Sequence, residues 1–179
     1  TRGTAAAGML EVEIQQGSVL DAEAEAIVNA ANSQGWMGGG VAGAIKRAAG
    51  RAVEEEAVAA APIPVGSAVV TSGGKTRFRG IIHAPTMEQP AMRIPVANVE
   101  AAMRGALAAA EAHGFASLAV PGLGTGVGGV PKAAAAAAMC RVLRTFAATR
   151  LKRVILVDLD PEMVAAWRSA WAPRAAGRP

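Results

Sequence analysis

Apolar and polar residues alternate from Leu10 to Gln15, the period of a strand with one covered face. The next apolar run, Ala26-Ile-Val-Asn29, has no polar interruption and predicts a buried strand. Between the two, Gln16 to Leu20 reads as a turn. Asp21, Glu23 and Glu25 read as a solvated connection or a short helix start. Helical spacing then runs from Val41 to about Ala61, with apolar positions at Val41, Ile45, Ala48, Ala49, Ala52 and Val53. Gly50 is a weak point in that helix, Glu54-Glu55-Glu56 its expected solvent face, and Pro62-Ile-Pro64 its end. Ser67 to Thr71 and Arg79 to His83 are β-rich runs around Ser72-Gly73-Gly74-Lys75, the pattern of a hairpin. An irregular stretch from Thr86 to Pro95 precedes a helix over Val96 to His113, with Gly114 as its stop. A strand over Ser117 to Val120, an alanine-rich helix from Pro131 to about Thr149 and a strand over Val154 to Val157 follow. Asp158-Leu-Asp160-Pro161 caps a last helix that ends near Trp171.

Strands interleaved with helices, with a hairpin in the middle, predict an α/β fold with helices on both faces of one mixed sheet. In such sheets ligands sit beyond the carboxyl ends of the strands. Two glycine-rich loops fall there.

The first loop runs from Asn29-Ala-Ala-Asn32 through Ser33-Gln-Gly-Trp-Met to Gly38-Gly39-Gly40-Val41, where the helical pattern begins. The second is Pro121-Gly-Leu-Gly124-Thr125-Gly126-Val127-Gly128-Gly129, ahead of Pro131, a residue suited to a first helical turn. Strand, glycine loop and helix start bring backbone N–H groups together on an anion. Neither loop holds a carboxylate that would repel a diphosphate. Asn29 and Asn32 are neutral amides that suit hydroxyl-rich groups such as ribose. Structural turn chemistry with asparagine caps explains either loop alone; the pair is harder to explain that way. Lys46-Arg47, one turn into the following helix, either steers an anion or is solvated. Trp36-Met37 either packs under the first loop or covers the site.

Composition narrows the choice. The chain has 179 residues, one cysteine and a net charge of +4. One domain over residues 9–172 is expected, with 1–8 a disordered arm or expression remnant and 173–179 a loose tail. No apolar run reaches membrane-spanning length, no charged-then-apolar leader is present, and the lone Cys140 suits a reducing compartment, so a cytoplasmic protein with no membrane partner is expected. Two widely separated histidines and one cysteine provide no metal site. His83 reads as a core histidine and Cys140 as buried and inert. The arginines and lysines of 141–153, with Arg174 and Arg178, read as a solvated face and tail. RNA binding is weakly supported, because tyrosine is absent and phenylalanine scarce.

The two glycine motifs, with Ala48-Ala-Gly50 and Ile81-Ile-His83-Ala between them, resemble the macro domain family, from about Leu10 to about Trp171. The resemblance implies a three-layer α/β/α sandwich with a central mixed sheet. It implies ADP-ribose as ligand or product and no cofactor. ADP-ribosylated proteins or nucleic acid would be partners. Carried over by position, Ser18, Val19 and Leu159 meet the adenine, and Asp158 either contacts it or caps the last helix. Gly38, Gly39, Gly40 and Val41 take the diphosphate from one side, and Pro121, Gly124, Thr125, Gly126, Val127 and Gly128 enclose it from the other. Asn32 reaches the distal ribose and is the catalytic candidate. Asn29 either contacts ligand or holds the loop.

Three positions depart from the family pattern. Ser18 stands where an adenine-binding aspartate is common, Gly128 where an aromatic often meets the distal ribose, and Leu159 where an aromatic often meets adenine. The activity implied is hydrolysis of mono-ADP-ribosyl esters on acidic side chains, or deacetylation of O-acetyl-ADP-ribose. It is expected to be slow, since one hydrolytic branch carries an aspartate where this chain has Ala42. A reader without turnover and an RNA-binding macro domain are the alternatives. A P-loop hydrolase is poorly supported, since neither glycine loop ends in Gly-Lys-Ser/Thr.

Overall fold

The computed structural model describes residues 9–173. The arm expected over 1–8, and the tail beyond Pro173 with Arg174 and Arg178, lie outside the described residues. Six strands, β1 (Glu11–Gln16), β2 (Ala26–Asn32), β3 (Val69–Thr71), β4 (Gly80–Met87), β5 (Ser117–Val120) and β6 (Arg153–Asp158), form one sheet in the order β1-β6-β5-β2-β4-β3. All neighbours run parallel except the β3–β4 hairpin, so the sheet is mixed as expected. Five helices cover it: α1 (Gly40–Ala49), α2 (Arg51–Ala59), α3 (Val96–Ala112), α4 (Lys132–Thr145) and α5 (Pro161–Trp171).

Strand periodicity divides the interior between two cores. Ile27, Ile81, Ala119, Ile155 and Val157 point to one face and pack with Met37, Ile45, Ala49 and Val53 of the α1–α2 side. Their alternates Val28, Ile82, Leu118, Val154 and Leu156 point to the other face and pack with α3, α4 and α5. Burial on both faces is why the central strands read as unbroken apolar runs. Each large aliphatic side chain withdrawn in this way contributes about 1.5–3 kcal/mol. Cys140 is buried in α4, and burial pushes its thiol up to about 11, as suits an inert position.

The structure corrects several local expectations. The helix predicted from Val41 to Ala61 is two helices, divided at Gly50. Gly50 has φ 96° and ψ 166°, a conformation that disfavours any side chain. Its N–H closes α1 on the Lys46 carbonyl while the chain turns into α2. The turn rotates Glu54 inward. It is 8% exposed, not part of a solvent face, whereas Glu55 and Glu56 are exposed as expected. The β2 strand continues three residues past Asn29, so Asn29 lies inside the sheet and only Asn32 stands at the strand end. The α4 helix stops at Thr145, because Phe146 is already extended (φ −72°, ψ 124°).

Asn29, His83 and Thr71 cross three strands as one buried polar chain. The Asn29 amide meets His83 Nδ1 at 3.1 Å, and Thr71 Oγ1 meets His83 Nε2 at 2.9 Å. Thr71 Oγ1 donates to the Ser72 carbonyl, so it accepts from His83 Nε2–H, leaving Nδ1 to accept from Asn29. Burial lowers the His83 pKa to about 4, against a smaller opposing pull from Glu56. This histidine is a neutral core residue, as its sequence context predicted.

Candidate functional site

The first glycine loop leaves the end of β2 and is fastened at several points. Ser33 N–H donates to the Met87 carbonyl at 2.9 Å, which ties the loop to the end of β4. The Asn32 side chain spans the turn: Oδ1 accepts the Gln34 N–H at 3.0 Å and Nδ2 donates to the Trp36 carbonyl at 3.0 Å. Met37 and Trp36 divide the two expectations between them. Met37 is 1% exposed and packs under the loop, while Trp36 is half exposed.

A buried carboxylate holds the loop tip. Glu54 Oε2 accepts the Met37 N–H at 2.7 Å, and Oε1 pairs with Lys46 Nζ at 2.8 Å. Burial alone would raise this carboxyl. The Lys46 ammonium, the Met37 N–H and the Arg51 charge outweigh burial and hold it below the usual carboxylate range. Lys46 is therefore committed to Glu54, and its neighbour Arg47 has no ion-pair partner among the described residues.

Past the tip, Gly38, Gly39 and Gly40 are exposed, and a Cβ at any of them would meet nothing within 4 Å. The N–H groups of Gly38 and Gly39 have no acceptor among the described residues. Those of Gly40 to Ala42 are the orphan donors of the α1 start. They stand in the positive field of that helix end, where an anion is favoured by about 0.3–1 kcal/mol.

The second loop divides its glycines by role. A Cβ on Gly126 would meet open space, whereas one on Gly128 would fall 2.7 Å from the Gly124 carbonyl. Gly124 and Gly128 are buried, and they set the loop's shape through Val130 N–H to Gly124 O and Ile94 N–H to Gly128 O. Val127 is 65% exposed and Thr125 half-buried. Pro131 is the residue before the first turn of α4 instead of a member of it.

At the other end, the turn after β1 lies beside the end of β6. Ser18 Oγ accepts the Leu20 N–H at 3.1 Å and so caps the short 3-10 turn Val19–Asp21, keeping its own proton to donate elsewhere. Asp158 accepts the Gly122 N–H at 3.0 Å and the Asp160 N–H at 2.9 Å, which fastens the start of the second loop to β6. The helix cap expected of this segment is Asp160, through the Glu162 N–H. Leu159 is 70% exposed.

A cleft of about 250 Å³ joins the start of α1, the turn after β1 and the end of β6. Ser18, Val19, Gly40, Val41, Pro121, Asp158 and Leu159, all predicted from sequence, line it. Gly38, Gly39, Asn32 and Gly124 to Gly128 do not form its walls, and Asn29 lies inside the sheet. Leu20, Ala44 and Arg47 line it as well. Val41, Ala44 and Arg47 recur every three residues along α1, a one-face spacing legible in the sequence that would have decided the Arg47 question. Glu54 had no such signal, because its burial follows from the break at Gly50. Among the described residues no group of histidine, cysteine or acidic side chains could hold a metal, and no helix is long and apolar enough to cross a membrane.

An α/β/α sandwich with a cleft between the start of α1, the turn after β1 and the end of β6, edged by Pro121, defines a class of ligand-binding domain. The Macro domain family model matches residues 28–139, and the chain belongs to that family. It is 54% identical over 158 residues to an uncharacterized protein of Aquifex aeolicus, covering 88% of this chain and 96% of that relative. A Pyrobaculum aerophilum protein is 41% identical over 161 residues, covering 87% of each. Among solved structures, the chain is similar to the Oceanobacillus iheyensis macrodomain with MES bound (TM-score 0.81, 25% identity, 93% of each chain covered). It is equally similar to the Trypanosoma brucei macrodomain in complex with ADP-ribose (TM-score 0.81, 25% identity), over 90% of this chain and 69% of that one.

Proposed function

We propose that the cleft binds ADP-ribose. Adenine lies between Val19 and Leu159, with the Ser18 hydroxyl as its polar contact. The diphosphate lies on the N–H groups from Gly38 to Ala42, faced by the second loop from Thr125 to Gly128, and the distal ribose reaches towards Asn32. The observation that carries this reading is the row of unpaired N–H groups at the start of α1, opening on a cleft with a free guanidinium and no unengaged carboxylate. Arg47 adds the charge complementarity that a diphosphate needs.

Turnover of an ADP-ribosyl or acetyl ester is the second part of the proposal, and it is slow. Among the described residues Asp158 is the sole carboxylate lining the cleft, and it is engaged by two N–H groups at the adenine end. Asn32 already accepts the Gln34 N–H and donates one Nδ2 hydrogen to the Trp36 carbonyl, so a water at the distal ribose is oriented by its remaining Nδ2 hydrogen and the substrate's own phosphate, without a protein base. General bases contribute about 10²–10⁴-fold, which sets the scale of the deficit. The same observation favours a reader without turnover as the second reading.

Calorimetry with ADP-ribose, ADP, AMP and NAD tests the binding. ADP-ribose should bind more tightly than AMP by a clear margin, and equal affinities would remove the loops and Asn32 from the site. A glutamate-linked ADP-ribosylated protein separates the two readings: label lost with wild type and retained with Asn32→Ala supports the enzyme, and label retained with both supports the reader. Titration with single-stranded RNA over a salt series, with and without ADP-ribose, tests the RNA alternative.

A further inference from the structure

A second hollow, of about 400 Å³, lies on the same side of α1 as the cleft. The two are neighbours by construction. Leu20 lines both, and Val41 and Ala44 of the cleft continue along one stripe of α1 to Ala48 of the hollow. The far wall is the β3–β4 connection, which contributes Lys75 and Arg77. Asp21, exposed at the rim, is the one carboxylate that faces them from the lining.

Both residues are exposed; the fold fixes the backbone and stem of Lys75 and the guanidinium of Arg77. Lys75 N–H donates to the Ala49 carbonyl at 2.9 Å, and the Lys75 stem passes over Gly50, where a Cβ would lie 3.6–3.9 Å from its methylenes. Thr76 fixes the turn through its N–H and hydroxyl, both donating to the Gly73 carbonyl. The Arg77 guanidinium lies 4.5 Å from the Phe78 ring centroid and donates to the Ala22 carbonyl at 2.6 Å. Neither Lys75 nor Arg77 pairs with a carboxylate among the described residues. Arg47, a third cation with no ion-pair partner among the described residues, lines the neighbouring cleft and not this hollow.

We propose that this hollow is an anion subsite of the same groove, taking phosphate carried on the adenosine ribose of the bound ligand. The inference rests on the orientation given above, in which Ser18, Val19 and Leu20 mark the adenosine end. Whatever enters the hollow must then be attached to the adenosine and not to the distal ribose. Lys75 and Arg77 supply the charge, and the ribose hydroxyls of adenosine supply the point of attachment. The preferred ligand is ADP-ribose extended at that ribose, by a phosphate monoester or by the pyrophosphate of a further linked ADP-ribose unit.

The test is calorimetry at low salt with ADP-ribose, ADP-ribose bearing a 2′-phosphate, and a linear dimer of ADP-ribose, each against wild type, Lys75→Glu and Lys75→Arg. Wild type should bind at least one extended ligand about tenfold more tightly than ADP-ribose, the scale of one charge-assisted hydrogen bond. Lys75→Glu should abolish the gain without changing the affinity for ADP-ribose, and Lys75→Arg should keep it. A gain for the 2′-phosphate alone assigns a monoester, and a gain for the dimer alone assigns a linked unit. ADP-ribose binding with no gain for either extension overturns the subsite and leaves the cleft reading intact. Failure of ADP-ribose itself to bind wild type overturns both.

Discussion

Glu54 accepts the Met37 N–H at 2.7 Å, so a carboxylate on α2 holds the tip of a loop that precedes α1. Its partner Lys46 lies on α1, and the three elements meet at one buried charge. Removing a carboxylate from such a place leaves a buried N–H and an ammonium without their acceptor, which costs about 1–3 kcal/mol. Glu54→Ala is therefore expected to lower the unfolding free energy by that amount, with a lower urea midpoint, and to weaken ADP-ribose binding, because the donors from Gly38 onward lose their anchor. Glu54→Gln keeps an acceptor for Met37 and should recover most of the affinity, though not the ion pair. Urea melts and calorimetry on the three proteins check this.

The glycines make opposite predictions at sites that look alike in sequence. At Gly38 a Cβ meets nothing within 4 Å, so Gly38→Val should leave the unfolding free energy within about 0.5 kcal/mol of wild type and abolish ADP-ribose binding. At Gly128 a Cβ would fall 2.7 Å from the Gly124 carbonyl. Gly128→Ala should cost about 1–3 kcal/mol through the shift this forces. Thermal melts with and without ADP-ribose distinguish the two behaviours. A destabilised Gly38→Val that still binds would contradict the cradle.

Ser18 is an accessible lever on the adenine end. Its hydroxyl caps the turn through the Leu20 N–H, a role aspartate fills equally well. Ser18→Asp should fold normally and tighten ADP-ribose about three- to thirtyfold, since a hydrogen bond to a charged acceptor is worth more than one to a neutral hydroxyl. Ser18→Ala should lose about 0.5–2 kcal/mol of stability with the cap. Calorimetry against ADP-ribose and an inosine analogue, which lacks the amino donor, shows whether the gain arises at adenine.

What the sequence disclosed follows from periodicity, and what it hid follows from tertiary contact. Ile27 and Val28 lie on opposite faces of β2 and pack in different cores, so no alternation marks the strand, yet an unbroken apolar run identifies it. The loops were legible because Gly38-Gly39-Gly40 and Gly124-Thr-Gly126 interrupt those runs at strand ends. Gly50 was visible as a weak point. That it would split the helix depends on its positive φ, which no neighbouring residue announces. Glu54 therefore read as one of three solvated acids, although the break turns it alone towards Met37 and Lys46. Asn29 was placed at a strand end because the β2 register with β4, Asn29 opposite His83, is a long-range fact.

His83 gives the fold a pH dependence of defined sign. Its pKa is lowered from 6.5 to about 4, so the native state keeps it neutral while the unfolded chain binds a proton. Stability is complete above about pH 6.5 and is lost as pH falls towards 4, by up to about 3 kcal/mol at ~1.4 kcal/mol per unit. Glu54 and Glu56, whose carboxyls are lowered, lose their contributions only below the ordinary carboxylate value of 4.5, so the upper part of the window belongs to the histidine. Urea denaturation at pH 7, 6 and 5 should show a falling midpoint in wild type. His83→Gln should be less stable at pH 7 but flat across this range, and a slope unchanged by the substitution would assign the effect elsewhere.

Ala42 is half-buried in the first turn of α1, directly after Val41 of the cleft lining. Nothing acidic occupies the first turn of that helix. A carboxylate introduced there would stand in the favourable field of the helix start, which offsets part of the cost of a charge where Ala42 packs against the core, so Ala42→Asp should fold with a loss of about 0.5–3 kcal/mol. It would place a base beside the donors proposed to hold the diphosphate, within one turn of the distal end of the ligand. If slow turnover reflects a missing base, Ala42→Asp should raise the rate of glutamate-linked ADP-ribose release by at least about tenfold, the low end of what a positioned base supplies. The pH profile should gain a limb in the carboxylate range, since the added group must be ionised to act. Loss of ADP-ribose affinity with no gain in rate would show instead that charge repulsion at the diphosphate governs that position, and would favour the reader.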